Sequence, residues 1–309
     1  MQPSTLHANR KTVLRLSQTL LAALLLSLSL ACTNLWSSNR DANSNSRNSR
    51  SPSQPAHTAM NSNFASSLPQ GFHIPDQSDA VGRRLLAEYG AMFVARGGAQ
   101  APPTVIFADD AEVSRWQSSV RTTREDMGGM TMELQAPAMA ALMQARNEAQ
   151  AAGLKITPRG SDAARRSYTD TISLWLSRVE PGLQHWTNAG QLSQQDADRI
   201  KRLSPRDQVS EILQLESRGL FFNRDFTRSI LSSVAAPGAS QHLSMLAFDV
   251  TENDNPSVRK ILAHHGWFQT VISDTPHFTY LGVSEDQLPS LGLKKVTNGG
   301  RTFWVPDVE

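Results

Sequence analysis

Cysteine is nearly absent from this chain of 309 residues, because Cys32 is the only one. A lone cysteine excludes an internal disulfide and a cysteine-rich zinc site. The sequence also shows no phosphate-cradling Gly loop, no Ser-His-Asp nucleophile elbow and no internal repeat. The usual sequence signatures of nucleotide-binding proteins, serine hydrolases and solenoids are therefore missing.

The chain has no large excess of charge of either sign. It carries 30 Lys and Arg residues against 28 Asp and Glu residues, for a formal net charge of +2. Nucleic-acid-binding proteins need clustered positive charge to neutralise phosphates. We therefore expect no nucleic-acid partner.

No apolar run is long enough to span a bilayer comfortably. The apolar run near the N-terminus covers residues 19–31, which is shorter than the roughly 20 residues that a transmembrane helix needs. It follows a segment with Arg10, Lys11 and Arg15 and no acidic residue. A basic segment followed by a short apolar run is typical of a secretory signal, so residues 1–31 predict export.

The residues around Cys32 predict how the exported chain is attached to the membrane. Cys32 directly follows Leu30 and Ala31, which suits a bacterial lipoprotein signal with Cys32 as the lipidated N-terminus. Position 29 is Ser where such signals usually have Leu, so an ordinary signal peptide cleaved after Ala31 or later is the alternative. The lipoprotein interpretation predicts a location in the cell envelope or periplasm, with membrane contact by the lipid anchor only.

Two further segments follow the predicted signal. Residues 32–70 are rich in Ser, Asn and Arg and poor in apolar residues, which predicts a disordered tether. Residues 71–309 are long enough for one folded domain.

Periodicity and capping residues predict the helices and strands of this domain. The helices are predicted at 79–95, 109–120, 137–152, 191–200, 206–217 and 256–266, and the strands at 103–107, 130–135, 154–157, 246–250, 267–272 and 277–281. A hairpin is predicted at 293–305, with its turn at Asn298-Gly299-Gly300. Helices that precede a small, mostly antiparallel sheet indicate the α+β class.

Histidines and acidic residues are grouped in the C-terminal third of the chain. Four of the 8 His lie between His242 and His277, with Asp249 and Asp274 among them. A zinc hydrolase needs three protein N or O ligands, an open position for water and a base that is not a ligand. The ordinary alternative is that His242 is a packed core histidine and His277 a surface one. His264 and His265 fall in the last turn of a predicted helix and are interpreted as structural.

The spacing of two of these residues constrains the backbone. His242 and Asp249 are seven positions apart, which would place them on opposite faces of a regular strand. Both can face one site only if a turn or bulge lies near Met245.

Three segments together resemble a known family. Pro237-Gly238-Ala239-Ser240-Gln241-His242, continuing to Ala247-x-Asp249, is similar to the SxHxxGxAxD signature of zinc D-alanyl-D-alanine carboxypeptidases. These are the VanY-like peptidases, which share a fold with hedgehog-type and lysostaphin-type metallopeptidases. Asp274-Thr-Pro-His277 resembles their ExxH segment, and the stretch from Ala163 to Tyr168 resembles their SGYRS stretch. The resemblance covers roughly residues 135–285.

The resemblance implies a hedgehog/D,D-peptidase-like fold and a set of roles. His242, Asp249 and His277 would bind Zn²⁺, and Asp274 would take a proton from the zinc-bound water. Arg166 would stabilise the oxyanion or bind a terminal carboxylate, and Ser240 would contact substrate. The implied activity is that of an exported zinc D,D-carboxypeptidase acting on peptidoglycan peptides. Relative to a minimal peptidase, residues of about 170–234 would form a helical insertion that walls one side of the cleft.

The chain departs from the family pattern at two positions. The motif Gly is Met245 here, and the expected Glu base is Asp274, one methylene shorter. General-base work requires about 2.6–3.2 Å between the base and the proton donor. The alternative is therefore a catalytically weak or inactive zinc- or peptidoglycan-binding lipoprotein of the same fold. A third possibility is a structural envelope lipoprotein whose His and Asp residues never converge.

Overall fold

A computed structural model describes residues 60–308 of the chain. The helices are α1 (Ser62–Ser67), α2 (Ala80–Tyr89), α3 (Asp110–Ser119), α4 (Ala136–Ala151), α5 (Tyr168–Asn188), α6 (Gln194–Lys201), α7 (Pro205–Ser217) and α8 (Pro256–His264). The strands are β1 (Thr122–Asp126), β2 (Thr131–Gln135), β3 (Ala247–Asp249), β4 (Trp267–Phe268), β5 (His277–Tyr280), β6 (Leu293–Asn298) and β7 (Arg301–Pro306). No helix in this part of the chain is both long and apolar enough to cross a membrane. The predicted signal and its Cys32 lie outside the described residues.

The helices begin at side chains that satisfy free backbone N–H groups. Ser167 and Asp170 form a reciprocal capping box at the start of α5. Ser193 caps α6, and Ser204 caps α7 ahead of Pro205 in its first turn. These local signals explain why the predicted helices agree with the structure to within a few residues.

The central sheet is small and antiparallel, with strand order β3-β5-β4. Its register pairs Asp249 of β3 directly with His277 of β5. The hairpins β1–β2 and β6–β7 are also antiparallel, and the second turns at Gly299 and Gly300 as predicted. The α+β class is confirmed.

Two predicted strands are absent, and two others are shorter than predicted. The predicted strand at 103–107 is wrong. Pro102 and Pro103 lack N–H groups, and the segment makes only isolated backbone bonds, from Phe107 N to Gly238 O at 2.9 Å and from His73 N to Pro103 O at 3.1 Å. The predicted strand at 154–157 is reduced to an isolated bridge between Pro158 and Val250. The strands predicted at 267–272 and 246–250 span only two and three residues.

The predicted tether runs too far toward the C-terminus. Residues 60–70 belong to the folded part: Phe64 of α1 is fully buried, and Asn61 Nδ2 donates to Asp307 Oδ2 at 2.7 Å. One buried aromatic ring is enough to hold a short polar segment on the domain. Residues 32–59 of the predicted tether lie outside the described residues.

The helical region α5–α7 shares a core with the rest of the domain. Trp175 of α5 and Ile212 of α7 are buried in the same cluster as Phe64 and Leu86. Trp175 Nε1 also donates to the buried Gln208 Oε1 at 2.8 Å, which ties α5 to α7. This packing fixes α5 on the core, with Thr171 and Leu174 lining the cavity that His242 and His277 also line.

Candidate metal centre

The three predicted ligands converge. His242 Nε2 lies 3.3 Å from Asp249 Oδ1, and His277 Nδ1 lies 3.1 Å from the same oxygen. One nitrogen from each imidazole and one carboxylate oxygen all fall within 4.8 Å of one another. The possibility that these His and Asp side chains never meet is therefore wrong.

A residue in the left-handed backbone conformation, Met245, allows His242 and Asp249 to face the same site. His242 lies in a 3₁₀ turn, Gln241–Ser244, and the chain then reverses at Met245, which has φ 60° and ψ 30° before β3 begins. This confirms the turn predicted near Met245, at the position where the family motif has Gly. A non-glycine residue in this conformation costs roughly 1–2 kcal/mol, which the full burial of the Met245 side chain helps to offset.

Ser240 begins the same turn. Its Oγ accepts a hydrogen bond from His242 N at 3.4 Å, and its side chain also lines the cavity beside the ligands. The contact with substrate predicted for Ser240 remains a prediction.

Backbone contact fixes which nitrogen of His242 faces the site. His242 Nδ1 lies 2.6 Å from Ala164 O and must donate to it, because a carbonyl oxygen can only accept. The other nitrogen, Nε2, therefore carries a lone pair toward Asp249. Nε2 is buried and has no hydrogen-bond partner in the described part of the chain.

Gln241 fixes the tautomer of His277 in the same way. The Gln241 amide donates through Nε2 to Tyr89 O at 2.8 Å, which turns its carbonyl oxygen toward His277 Nε2, also at 2.8 Å. His277 must therefore donate from Nε2 and present the lone pair of Nδ1 to Asp249. Thr279 donates to the same Gln241 oxygen and fixes its position further.

When both imidazoles are neutral, three acceptor atoms thus face one another in a buried space without a proton to share. Two imidazole lone pairs against a carboxylate oxygen repel unless a cation lies between them. Two imidazole nitrogens and one carboxylate oxygen form a donor set that Zn²⁺ takes in catalytic sites. The residues present therefore fit the predicted zinc ion.

The electrostatics of the site favour the metal-binding protonation states. Burial lowers the pKa of His242 from its ordinary value, which keeps the imidazole neutral. Burial alone would raise the pKa of Asp249, but the charge and hydrogen bonds that His242 and His277 offer when they carry a proton outweigh burial and hold that pKa well below its usual range, so the carboxylate is ionised. A neutral imidazole and an ionised carboxylate are the forms that ligate.

Arg166 contacts the ligand carboxylate. Its Nη2 lies 2.9 Å from Asp249 Oδ2 and 3.3 Å from Asp162 Oδ2. This contact holds the outer oxygen of Asp249 and leaves Oδ1 facing the imidazoles. Sequence reasoning assigned Arg166 to the substrate, and the structure adds this contact with a ligand.

Asp274 lies at the rim of the same site. It is exposed and lines, with His242 and His277, a cavity of about 210 Å³. Its backbone accepts from His277 N at 3.2 Å, so the turn before β5 carries both side chains. The Asp274 carboxylate is not part of the three-residue ligand cluster, which leaves it available for proton transfer.

A second group of metal-capable side chains lies elsewhere on the surface. Glu148 Oε2 contacts His264 Nδ1 at 3.0 Å and His265 Nε2 at 2.8 Å. Either imidazole can donate a hydrogen bond to this oxygen, so the group is satisfied without a metal ion. This geometry agrees with the structural interpretation of His264 and His265.

Gln241 is the residue of the site that sequence reasoning missed. Its place directly before His242 was the available signal, but its role depends on contacts with Tyr89 and His277 that are distant in sequence.

We expect Gln241→Leu to weaken zinc binding by about 10- to 100-fold, the usual cost of losing a partner that orients a ligand. Competition with a chromophoric chelator measures this change. Thr270→Val is the matched control, because Thr270 contacts the same amide at 3.3 Å but touches neither imidazole. Equal losses in both variants would contradict the orienting role.

Comparison with known proteins gives a weak likeness to a solved structure. No protein-family model matches the chain, and no curated protein matches it. Among solved structures, the chain is similar to a mutant of VanY, a vancomycin resistance D,D-pentapeptidase from the VanB-type resistance cassette, in complex with Zn(II). The identity is 15%, the TM-score is 0.33, and the match covers 60% of this chain and 86% of that one. Likeness at this level does not assign a function, so the proposal below depends on the side-chain geometry.

Proposed function

We propose that this protein is an exported zinc-dependent peptidase of the D,D-carboxypeptidase type that acts on peptidoglycan peptides. The observation that carries the proposal is the convergence of two oriented imidazole lone pairs on the Asp249 carboxylate within a solvent-connected cavity. The resemblance of the surrounding segments to VanY-like peptidases supplies the substrate class.

The chain's own side chains divide the chemistry among them. Bound Zn²⁺ supplies Lewis acidity and lowers the pKa of a coordinated water to about 7. His242, Asp249 and His277 hold the ion, while Ala164 O and Gln241 Oε1 hold the two imidazoles in their ligating tautomers. Asp274 accepts a proton from water at the cavity rim and delivers it to the departing amine. Arg166 stabilises the ligand carboxylate and presents its remaining N–H groups to the cavity.

The second candidate function is zinc or peptidoglycan binding without turnover. The exposure of Asp274, combined with its short side chain, favours this alternative. Both candidates require the same metal ligands, so they differ only in whether Asp274 reaches the reacting water.

The proposed location is the cell envelope, with the chain anchored through a lipid on Cys32. Support comes from the basic and apolar segments of residues 1–31 and from the position of Cys32 after Ala31. Mass spectrometry of the mature N-terminus distinguishes a lipidated Cys32 from an ordinary cleaved signal.

The test of the proposed function is a peptide digest. The purified chain, loaded with one equivalent of zinc, is incubated with the pentapeptide L-Ala-γ-D-Glu-L-Lys-D-Ala-D-Ala, and the products are identified by mass spectrometry. We expect release of the terminal D-Ala, its loss on treatment with a chelator, and its return on addition of zinc. Stoichiometric zinc binding without any cleavage would favour the binding function instead.

A further inference from the structure

The cavity beside the metal centre contains a second arginine, on the wall formed by α5. Thr171, Leu174 and Arg178 line this cavity and are spaced three and four residues apart, so they share one face of the helix. Arg178 could be taken from sequence as part of a solvated pair with Glu180. The structure instead places the Arg178 side chain in the cavity wall.

The guanidinium of Arg178 has no carboxylate partner among residues 60–308. Its Nη1 donates to the neighbouring Ser177, to Oγ at 2.9 Å and weakly to the carbonyl oxygen at 3.4 Å. Its Nε is buried and makes no hydrogen bond in the described part of the chain. A buried donor on a cation is costly when it has no acceptor, so this N–H requires an acceptor from water or from a bound ligand.

A like charge lies close to Arg178. Burial first, and then the nearby Arg224, lower the pKa of Arg178 from its ordinary value. Arg224 is exposed and forms no ion pair within the described range. Two neighbouring guanidinium groups that form no ion pair in the described residues create a local positive potential.

The other arginine of the cavity, Arg166, has no uncompensated charge. Its charge is already compensated by Asp249 and Asp162 at 2.9 and 3.3 Å. Of the two arginines that line the cavity, Arg178 is therefore the one whose charge calls for an anion from outside the chain.

The position of Arg178 along α5 suggests where that anion lies on a substrate. Arg178 is seven residues beyond Thr171, the first residue of α5 that lines the cavity, which is about 10 Å along the helix axis at about 1.5 Å per residue. Helical side chains lean toward the N-terminus, which here is the end of α5 nearest Arg166 and Asp249. An extended peptide covers about 10 Å in roughly three residues.

We propose that Arg178 is a specificity-determining residue that binds a carboxylate on the peptide substrate roughly three residues from the scissile bond. This inference rests on the proposed peptidase function and adds a preference for an acidic peptide to it. In the pentapeptide L-Ala-γ-D-Glu-L-Lys-D-Ala-D-Ala, the free α-carboxylate of the γ-linked D-Glu lies at about this distance from the terminal amide bond.

The test compares two probes that differ by one charge. The first is the pentapeptide above, and the second carries a carboxamide in place of the D-Glu α-carboxylate. Turnover of each is measured with the zinc-loaded wild-type chain and with Arg178→Gln, Arg178→Lys and Glu180→Gln. Binding of fluorescent versions is measured separately by anisotropy on an Asp274→Ala background, so that affinity is read without cleavage.

We expect the wild-type chain to favour the acidic peptide by about tenfold or more in kcat/KM and in Kd, as for a charge-assisted hydrogen bond. Arg178→Gln should lose this preference while handling the amidated peptide like the wild type. Arg178→Lys should keep part of the preference, and Glu180→Gln, an exposed change on the same helix, should keep all of it.

The possible failures are distinguishable. Turnover of both peptides at equal rates by the wild type would overturn the role of Arg178 and leave the peptidase function standing. A binding preference that depends on Arg178 without any turnover would support the carboxylate site and contradict the peptidase function. Equal binding of the two peptides, or no binding of either, would overturn the site.

Discussion

Replacing His242 by alanine is expected to abolish stoichiometric zinc binding. The change removes the buried Nε2 lone pair, which faces Asp249 Oδ1 at 3.3 Å, and leaves two of three ligands. Loss of a ligand should cost more than the roughly 10- to 100-fold typical of a supporting residue, so we expect the affinity to fall by at least about 100-fold. Metal analysis after equilibrium dialysis measures the result, and His277→Ala should behave in the same way.

His264→Ala is the matched control for this experiment. His264 is exposed, contacts Glu148 and lies outside the cavity, so its replacement should leave one zinc per chain. Circular dichroism checks that His242→Ala remains folded. One equivalent of tightly bound zinc in folded His242→Ala would remove His242 from the ligand set.

Asp274→Ala is expected to keep zinc and to lose turnover. Asp274 lines the cavity without belonging to the ligand cluster, so its loss leaves the three metal contacts in place. Removal of a general base typically costs about 10²- to 10⁴-fold in rate. The measurement is kcat on the pentapeptide, together with zinc content for the same sample.

Two further variants make this prediction specific. Asp274→Glu restores the longer side chain of the family pattern and is expected to raise kcat, because the carboxylate reaches further into the cavity. Asp286→Ala removes an exposed acid outside the cavity and should change nothing. Unchanged hydrolysis by Asp274→Ala would exclude this residue as the base.

Local signals in the sequence predicted the helices better than the strands. Ser167, Ser193 and Ser204 cap α5, α6 and α7 through contacts within three residues, and such contacts are visible in the sequence. The segment at 103–107 has the apolar residues of a strand, but whether it pairs depends on a distant partner and on the N–H groups that Pro102 and Pro103 lack. The end of the predicted tether was missed because the burial of Phe64 is likewise a long-range contact.

The convergence of His242, Asp249 and His277 was predictable because a zinc site restricts residue type and spacing. The requirement for a turn at Met245 also followed from the seven-residue separation of His242 and Asp249, and the structure confirms it. Gln241 and Arg178 were not predictable in their roles. The first orients His277 through an amide fixed by Tyr89, and the second is distinguished by a buried Nε that has no hydrogen-bond partner in the described residues.

X-ray absorption spectroscopy at the zinc edge tests the central claim most directly. The wild-type chain, purified and loaded with one equivalent of zinc, should show two imidazole nitrogens at about 2.0–2.1 Å from zinc and oxygen ligands at about 2.0–2.2 Å from it. The His242→Ala and His277→Ala samples should lose the signal of one imidazole or the metal itself, whereas His264→Ala should match the wild type. A wild-type spectrum without imidazole scattering, or one that changes only in His264→Ala, would contradict a zinc site formed by His242, Asp249 and His277.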